Sequence, residues 1–162
     1  MVIRSAVPDD ALAVATVHVR AWQQGFKDLL PAEYLAQLQP AERAQRYTFG
    51  ITDGSKPQTI VAAIDDAIVG FATTGIVDGE ALLHALYVDP DRWGSGVGRA
   101  LIAEAKRDLR RTGRSEAFLW SMIGNTRADR FYTADGWELV GEPKVEQVWD
   151  TAVHEQRYRR AL

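Results

Sequence analysis

Cysteine is absent from the 162 residues, and with it go disulfides, thiolate nucleophiles and Cys-based zinc sites. Histidine is scarce. His18, His84 and His154 stand far apart, without metal-ligand spacing, so no metal is expected. No apolar run approaches the roughly 20 residues of a membrane-spanning helix. The opening MVIRSAVPDD has no basic segment followed by an apolar core, so a secretory leader is not expected. Repeats, low-complexity tracts and linkers are missing too. What remains is a globular composition, 46% hydrophobic and 25% charged. It predicts one domain over residues 1–162 with a core of its own, in a soluble cytoplasmic protein.

Charge is unevenly laid out around a net −3. Residues 1–91 hold 6 Lys/Arg against 12 Asp/Glu, residues 92–130 hold 9 against 4, and residues 131–162 hold 4 against 6. The basic middle block suggests an anionic ligand and the acidic N-terminal part a cationic one. Solvated helix faces would give the same pattern, so charge alone does not decide.

Periodicity predicts the order β-α-α-β-β-β-α-β-α-β-β, a mixed sheet with helices on its faces. Val2–Ala6 reads as a strand, and Pro8-Asp9-Asp10 opens a helix with Leu12, Ala15, Val19 and Trp22 on one face. Pro31–Leu38 and Pro40–Phe49 read as a broken helical region beyond the loop Gly25–Pro31. Thr59–Ile64 and Ala67–Thr74 form a hairpin around Asp65-Asp66, and Ala81–Val88 is the next strand. A helix from about Gly96 carries Val97, Leu101, Ile102, Ala105 and Leu109 on one side and ends near Gly113. Glu116–Met122 is a strand, and Asn125 starts a helix that closes at Asp135-Gly136. Trp137–Val140 and Val153–Arg159 are the expected final strands.

The junction LYVDPDRWGSGVGRAL, Leu86 to Leu101, carries the chemistry. A strand stops at Asp89-Pro90, glycines fall at 94, 96 and 98, and a helix begins at once. Bare backbone there, with unpaired N–H groups and a helix dipole behind it, is a cradle for phosphate. A P-loop would need Lys-Ser/Thr after its glycines, where Arg99-Ala100 stand. A dinucleotide fingerprint would need glycine where Arg99 stands and an acid closing the next strand, where Ser121-Met122 stand. Both are excluded.

The junction resembles the main motif of the GCN5-related N-acetyltransferase (GNAT) superfamily, Gln/Arg-x-x-Gly-x-Gly/Ala after a strand ending in Val-x-Pro. Downstream, Asn125, Ala128, Phe131-Tyr132 and Gly136-Trp137 resemble that superfamily's Asn-x-x-Ala-x-x-Phe-Tyr-x-x-x-Gly-Phe/Trp element. The two motifs stand in the right order, and the resemblance covers nearly the whole chain. Trp93 departs from the pattern by occupying the usual Gln/Arg position, with Arg92 one residue early.

The resemblance implies an α/β (α+β) fold with a mixed, mostly antiparallel sheet, splayed central strands and flanking helices. It implies acetyl-CoA as co-substrate. Its pantetheine arm would lie along Leu86, Tyr87 and Val88, hydrogen-bonded like an added strand. Its pyrophosphate would meet the amides of Gly94, Ser95, Gly96, Val97, Gly98 and Arg99, and Asn125 would hold the arm from the other side. Arg99, Arg127 and Arg130 are local cations for it, or ordinary surface arginines.

The implied reaction is acyl transfer to an amine, which must lose a proton before it attacks. Tyr132 matches the superfamily's acid; beside Phe131 it also reads as a packed aromatic. The places where relatives carry a basic carboxylate hold Leu82 and Trp120 here. His84, two residues from Leu86 and so expected on the same face, is a candidate base by way of water. A structural histidine and the weaker candidate Glu80 are its rivals. Trp22, Phe26 and Tyr34 around the loop 25–31, with Asp28 and Glu33 nearby, would suit a cationic small-molecule amine, or would pin the helices to the sheet. Acetylation of a protein N-terminus or lysine, and a non-catalytic acyl-CoA-binding module, are the alternatives. Nucleic-acid binding fits the acidic balance poorly. The resemblance leaves a homodimer open.

Overall fold

In the computed structural model, which describes residues 1–162, seven strands form one sheet in the order β1-β2-β3-β4-β5-β7-β6. The strands are β1 (Val2–Ser5), β2 (Gln58–Ile64), β3 (Ala67–Val77), β4 (Glu80–Val88), β5 (Glu116–Met122), β6 (Glu138–Val148) and β7 (Thr151–Ala161). Every neighbouring pair is antiparallel except β4 and β5, which run parallel. The expected sheet is the observed one.

Helices α1 (Ala11–Gly25), α2 (Ala32–Ala36) and α3 (Pro40–Ala44) belong to one side of it; α4 (Val97–Arg111) and α5 (Thr126–Ala134) belong to the other. The main core joins α4 and α5 to the sheet through Leu101, Ile102, Leu109, Leu83, Leu119 and Trp137. The spacing of 101, 102, 105 and 109 is the 3.6-residue period that buries one stripe of a helix. Gly70 brings this helix close: a Cβ there would lie 2.9 Å from Leu101 Cδ1.

The start of α1 is fixed by Asp10, whose carboxylate accepts the Val7 N–H at 2.8 Å and pairs with Arg4 at 2.6 Å. One expectation for α1 fails. Leu12 is 58% exposed, while Val14, His18, Ala21 and Trp22 are buried. The inward stripe is centred on His18, which puts Leu12 about 120° away around the helix.

The broken helical region is there, but as two five-residue helices shorter than expected. The last two strands are longer than expected, 11 residues each. β6 is an edge strand, mostly exposed on both faces, so its sequence shows no apolar alternation to read. Trp149 and Asp150 make the β6–β7 turn, both at left-handed φ (49° and 61°). Asp and Asn usually fill such a turn; a tryptophan at its tip is costly unless the ring is used.

Candidate active site

β4 and β5 pair only from Ala81–Ala117 to Leu83–Leu119, then part. Beyond that point a cleft of about 1130 Å³ passes between them and is lined from both sides of the sheet. The parting coincides with a bulge: Thr73 pairs with Ala85 and Thr74 with Leu83, leaving His84 as the extra residue. A bulge shifts the alternation of side chains by one. Ala81 and Leu83 pack in the α4 core, and so do Leu86 and Val88. His84 therefore does not share the face of Leu86, contrary to the simple alternation. It stands near Gly75 and Pro57 and still lines the cleft.

The glycine junction forms the cleft's α4 end. Gly94 and Gly96 sit at φ 75° and 91°, and a Cβ on either would meet nothing within 4 Å. Their amides, and those of Val97, Gly98 and Arg99, donate to no backbone carbonyl. Five free N–H groups ahead of a 15-residue helix are what a pyrophosphate requires. Ser95 is the exception among the predicted contacts: its amide and its hydroxyl both bond the Arg92 carbonyl. Asn125 accepts the Ala128 N–H at 3.3 Å as the cap of α5, which leaves its NH₂ free at the cleft wall.

Trp93 acts as a strut. Its indole N–H donates to the Val88 carbonyl at 2.9 Å, and the Arg127 guanidinium lies 3.4 Å above its ring. The substitution gives up a polar side chain and gains a brace between the end of β4 and the start of α5. Arg99 and Arg127 line the cleft; Arg130 does not.

Tyr132 is buried between Phe131, Trp137 and Tyr158, yet its hydroxyl bonds no protein group and the residue lines the cleft. Burial first, then the neighbouring Tyr87, raises its pKa well above the ordinary tyrosine value, so it holds its proton. Burial lowers the pKa of His84, leaving a neutral imidazole at pH 7. The sequence reading missed Glu155. It pairs with Met122 on β5, lines the same cleft, and has its pKa raised by burial.

On the far side lies an aromatic chamber. Trp22 and Phe26 line the cleft, with ring centroids 4.9 Å apart. Tyr34 does not line it: its hydroxyl donates to the carbonyls of Val148 and Trp149 and clamps the β6–β7 tip. That contact turns the Trp149 ring against Trp22 (4.5 Å) and His18 (4.7 Å). The side chain of Tyr87, predicted along the cofactor arm, packs here instead, 4.6 Å from His18. Only its backbone is left for the arm. Its hydroxyl is pushed up to about 12 by burial, with the Trp22 indole opposing and Glu155 adding to the rise.

The acids expected near this chamber do not reach it. Asp28 and Glu33 are exposed and outside the cleft, whereas Arg43, Arg46 and Lys56 line it. Burial, then the Arg43 charge, lowers the pKa of His18 well below its ordinary value. Only the His18–Trp22 pair, one helical turn apart, could have been read in advance as a single surface.

Comparison with known proteins agrees with this geometry. The model of the acetyltransferase (GNAT) family matches residues 19–137. An uncharacterized N-acetyltransferase of Bacillus subtilis (strain 168), YuaI, is 30% identical over 153 residues, 89% of this chain and 84% of its own. An aminoglycoside N(6')-acetyltransferase type 1 of Stenotrophomonas maltophilia is 30% identical over 145 residues, 84% of this chain and 85% of its own. The structure of PaiA N-acetyltransferase from Thermoplasma acidophilum in complex with coenzyme A superimposes with a TM-score of 0.73 at 19% identity. It covers 99% of this chain and 98% of that one.

Proposed function

The chain belongs to the acetyltransferase (GNAT) family, an acetyl-CoA-dependent N-acyltransferase therefore, and from that premise we propose that its acceptor is the primary amine of a small molecule. The observation that carries this reading is the through-going cleft. It joins a cradle of free amides to an aromatic chamber, with an unbonded Tyr132 hydroxyl in its wall. A concave cleft with an aromatic wall suits a compact acceptor with an apolar body.

Acetyl-CoA supplies an acyl carbon already activated as a thioester. The residues of this chain do the rest. The free amides of the glycine junction hold the pyrophosphate, and the unpaired edge of β4 holds the arm. In the transfer step a neutral amine forms a C–N bond to the acyl carbon and the C–S bond breaks. Tyr132 gives its proton to the departing thiolate, and water restores it. The amine's own proton goes to His84, the neutral imidazole at the bulge. Glu155 is the second reading for that base, favoured by its raised pKa and its place beside Met122 where the strands have parted. The acid reading of Tyr132 is favoured over a packing role by its unbonded hydroxyl.

Assembly as a homodimer would have to use surface outside the cleft. Edge strand β6 offers Leu139 and Val145, both about 60% exposed, and sedimentation at micromolar concentration would detect such a dimer. The function itself is tested by free thiol released from acetyl-CoA across a panel of amines, amino acids and peptides. The expected result is release that depends on a small amine. Release only with peptides would move the acceptor to proteins. Tight coenzyme A binding with no transfer to any amine would make this a binding module.

A further inference from the structure

Beside the chamber stand two buried hydrogen-bond donors without a protein acceptor, the Nε1 of Trp149 and the Nε of Arg43, while the Trp22 indole faces the Tyr87 hydroxyl. They belong to one cluster: the Trp22 and Trp149 rings are 4.5 Å apart, and the Arg43 guanidinium lies 5.0 Å from the Trp149 ring and 5.4 Å from that of Tyr47. Buried donors left unpaired cost free energy, so two side by side mark a region made for something other than folding.

Six of the fifteen arginines form ion pairs, and Arg43 is not one of them. Arg4, Arg20, Arg107, Arg111, Arg157 and Arg159 each meet a carboxylate. Arg43 meets none, and neither do Arg46 and Lys56, which line the same chamber. Three cations without ion-pair partners therefore line a cleft whose acids are Glu155, on the β7 side, and Asp135, at the α5 end. The Tyr87 hydroxyl senses both Arg43 and Glu155, so an oxyanion and an ammonium borne a few atoms apart would each find an opposite charge.

We propose that the acceptor is an amine that also bears an oxyanion, a carboxylate or phosphonate, which Arg43 binds inside the aromatic chamber with Arg46 and Lys56 adding positive charge. This deepens the acetyltransferase reading and rests on it. A guanidinium presents paired donors to a planar carboxylate or a phosphonate, and the aromatic walls supply contact area to an apolar body between anion and amine. A purely cationic amine would instead be repelled by the three cations.

The test sets matched acceptors against each other with acetyl-CoA and the whole chain: L-phenylalanine, L-methionine and 2-aminoethylphosphonate against L-phenylalaninamide, L-methioninamide and ethylamine. Preference for the charged members by roughly 10-fold or more in kcat/KM is expected. Arg43→Gln should raise the acceptor KM and erase that preference, Arg43→Lys should keep part of it, and both should leave the KM for acetyl-CoA unchanged. Equal or better use of the neutral members, or a preference that survives in Arg43→Gln, overturns the proposal. Quenching of tryptophan fluorescence by L-phenylalanine is read in parallel, to separate this failure from failure of the transferase reading. If no amine is acetylated, saturable quenching lost in Arg43→Gln upholds the anion site by itself. No quenching in that case overturns it.

Discussion

The two ends of the cleft are built by opposite means. The α4 end is made of backbone: free amides from five residues between Gly94 and Arg99, exposed because glycines at φ 75° and 91° turn them outward. The α1 end is made of side chains, the rings of Trp22 and Tyr87 and the guanidinium of Arg43, backed by the Trp149 ring and brought from four separate elements. Amides are the same whatever the side chain, so the first end is tuned by conformation. The second is tuned by residue identity. A common co-substrate and an individual acceptor ask for that division.

The comparison breaks most visibly at Gly96. Gly96→Val should strain a left-handed position by about 1–3 kcal/mol and turn the neighbouring backbone donors away from a charged group. Loss of about 3 kcal/mol of binding is roughly 100-fold in coenzyme A affinity. Calorimetry should show that loss while quenching by an acceptor persists; loss of both would mean that the two ends are not separate. Tyr132→Phe comes next. A general acid contributes about 100-fold or more, so kcat should fall by that order with coenzyme A affinity kept.

Smaller and more diagnostic is the pH profile of kcat/KM. Burial raises Glu155, so a limb set by this base would rise as pH climbs through a value above the ordinary carboxylate range. Burial lowers His84, so its limb would lie below the ordinary imidazole value. Glu155→Gln or His84→Gln should abolish whichever limb its residue sets, and a limb surviving both would assign the base to water. The smallest effect belongs to Tyr34→Phe. It removes one hydroxyl from the β6–β7 tip, worth about 1 kcal/mol, and should raise the acceptor KM roughly fivefold without touching the KM for acetyl-CoA.

The same division explains what could be read from the sequence. The cradle is contiguous, Asp89 to Arg99, and its glycines announce a backbone that must turn and stay bare. The mixed, mostly antiparallel sheet followed from the strand order and the family resemblance; that β4 and β5 are its one parallel pair did not. The α1 end is scattered over positions 18 to 155, and no local pattern ties His18 to Trp149. Edge strand β6 hid its own length because both faces meet solvent, so Trp149 was not seen as a hairpin tip. The bulge at His84 was equally silent, since one extra residue leaves no trace in composition. Asp28 and Glu33 misled because a charge near an aromatic in sequence need not face the same way in space.

Pairing of β4 with β5 ends at Leu83 and Leu119, and that small interruption makes the sheet a doorway rather than a wall. One end of the cleft is walled by the glycine junction and α5, the other by α1 and its aromatic neighbours. Neither visitor has to leave before its counterpart arrives. Such a layout favours a meeting of both substrates over a relay, and double-reciprocal rate plots should therefore intersect rather than run parallel.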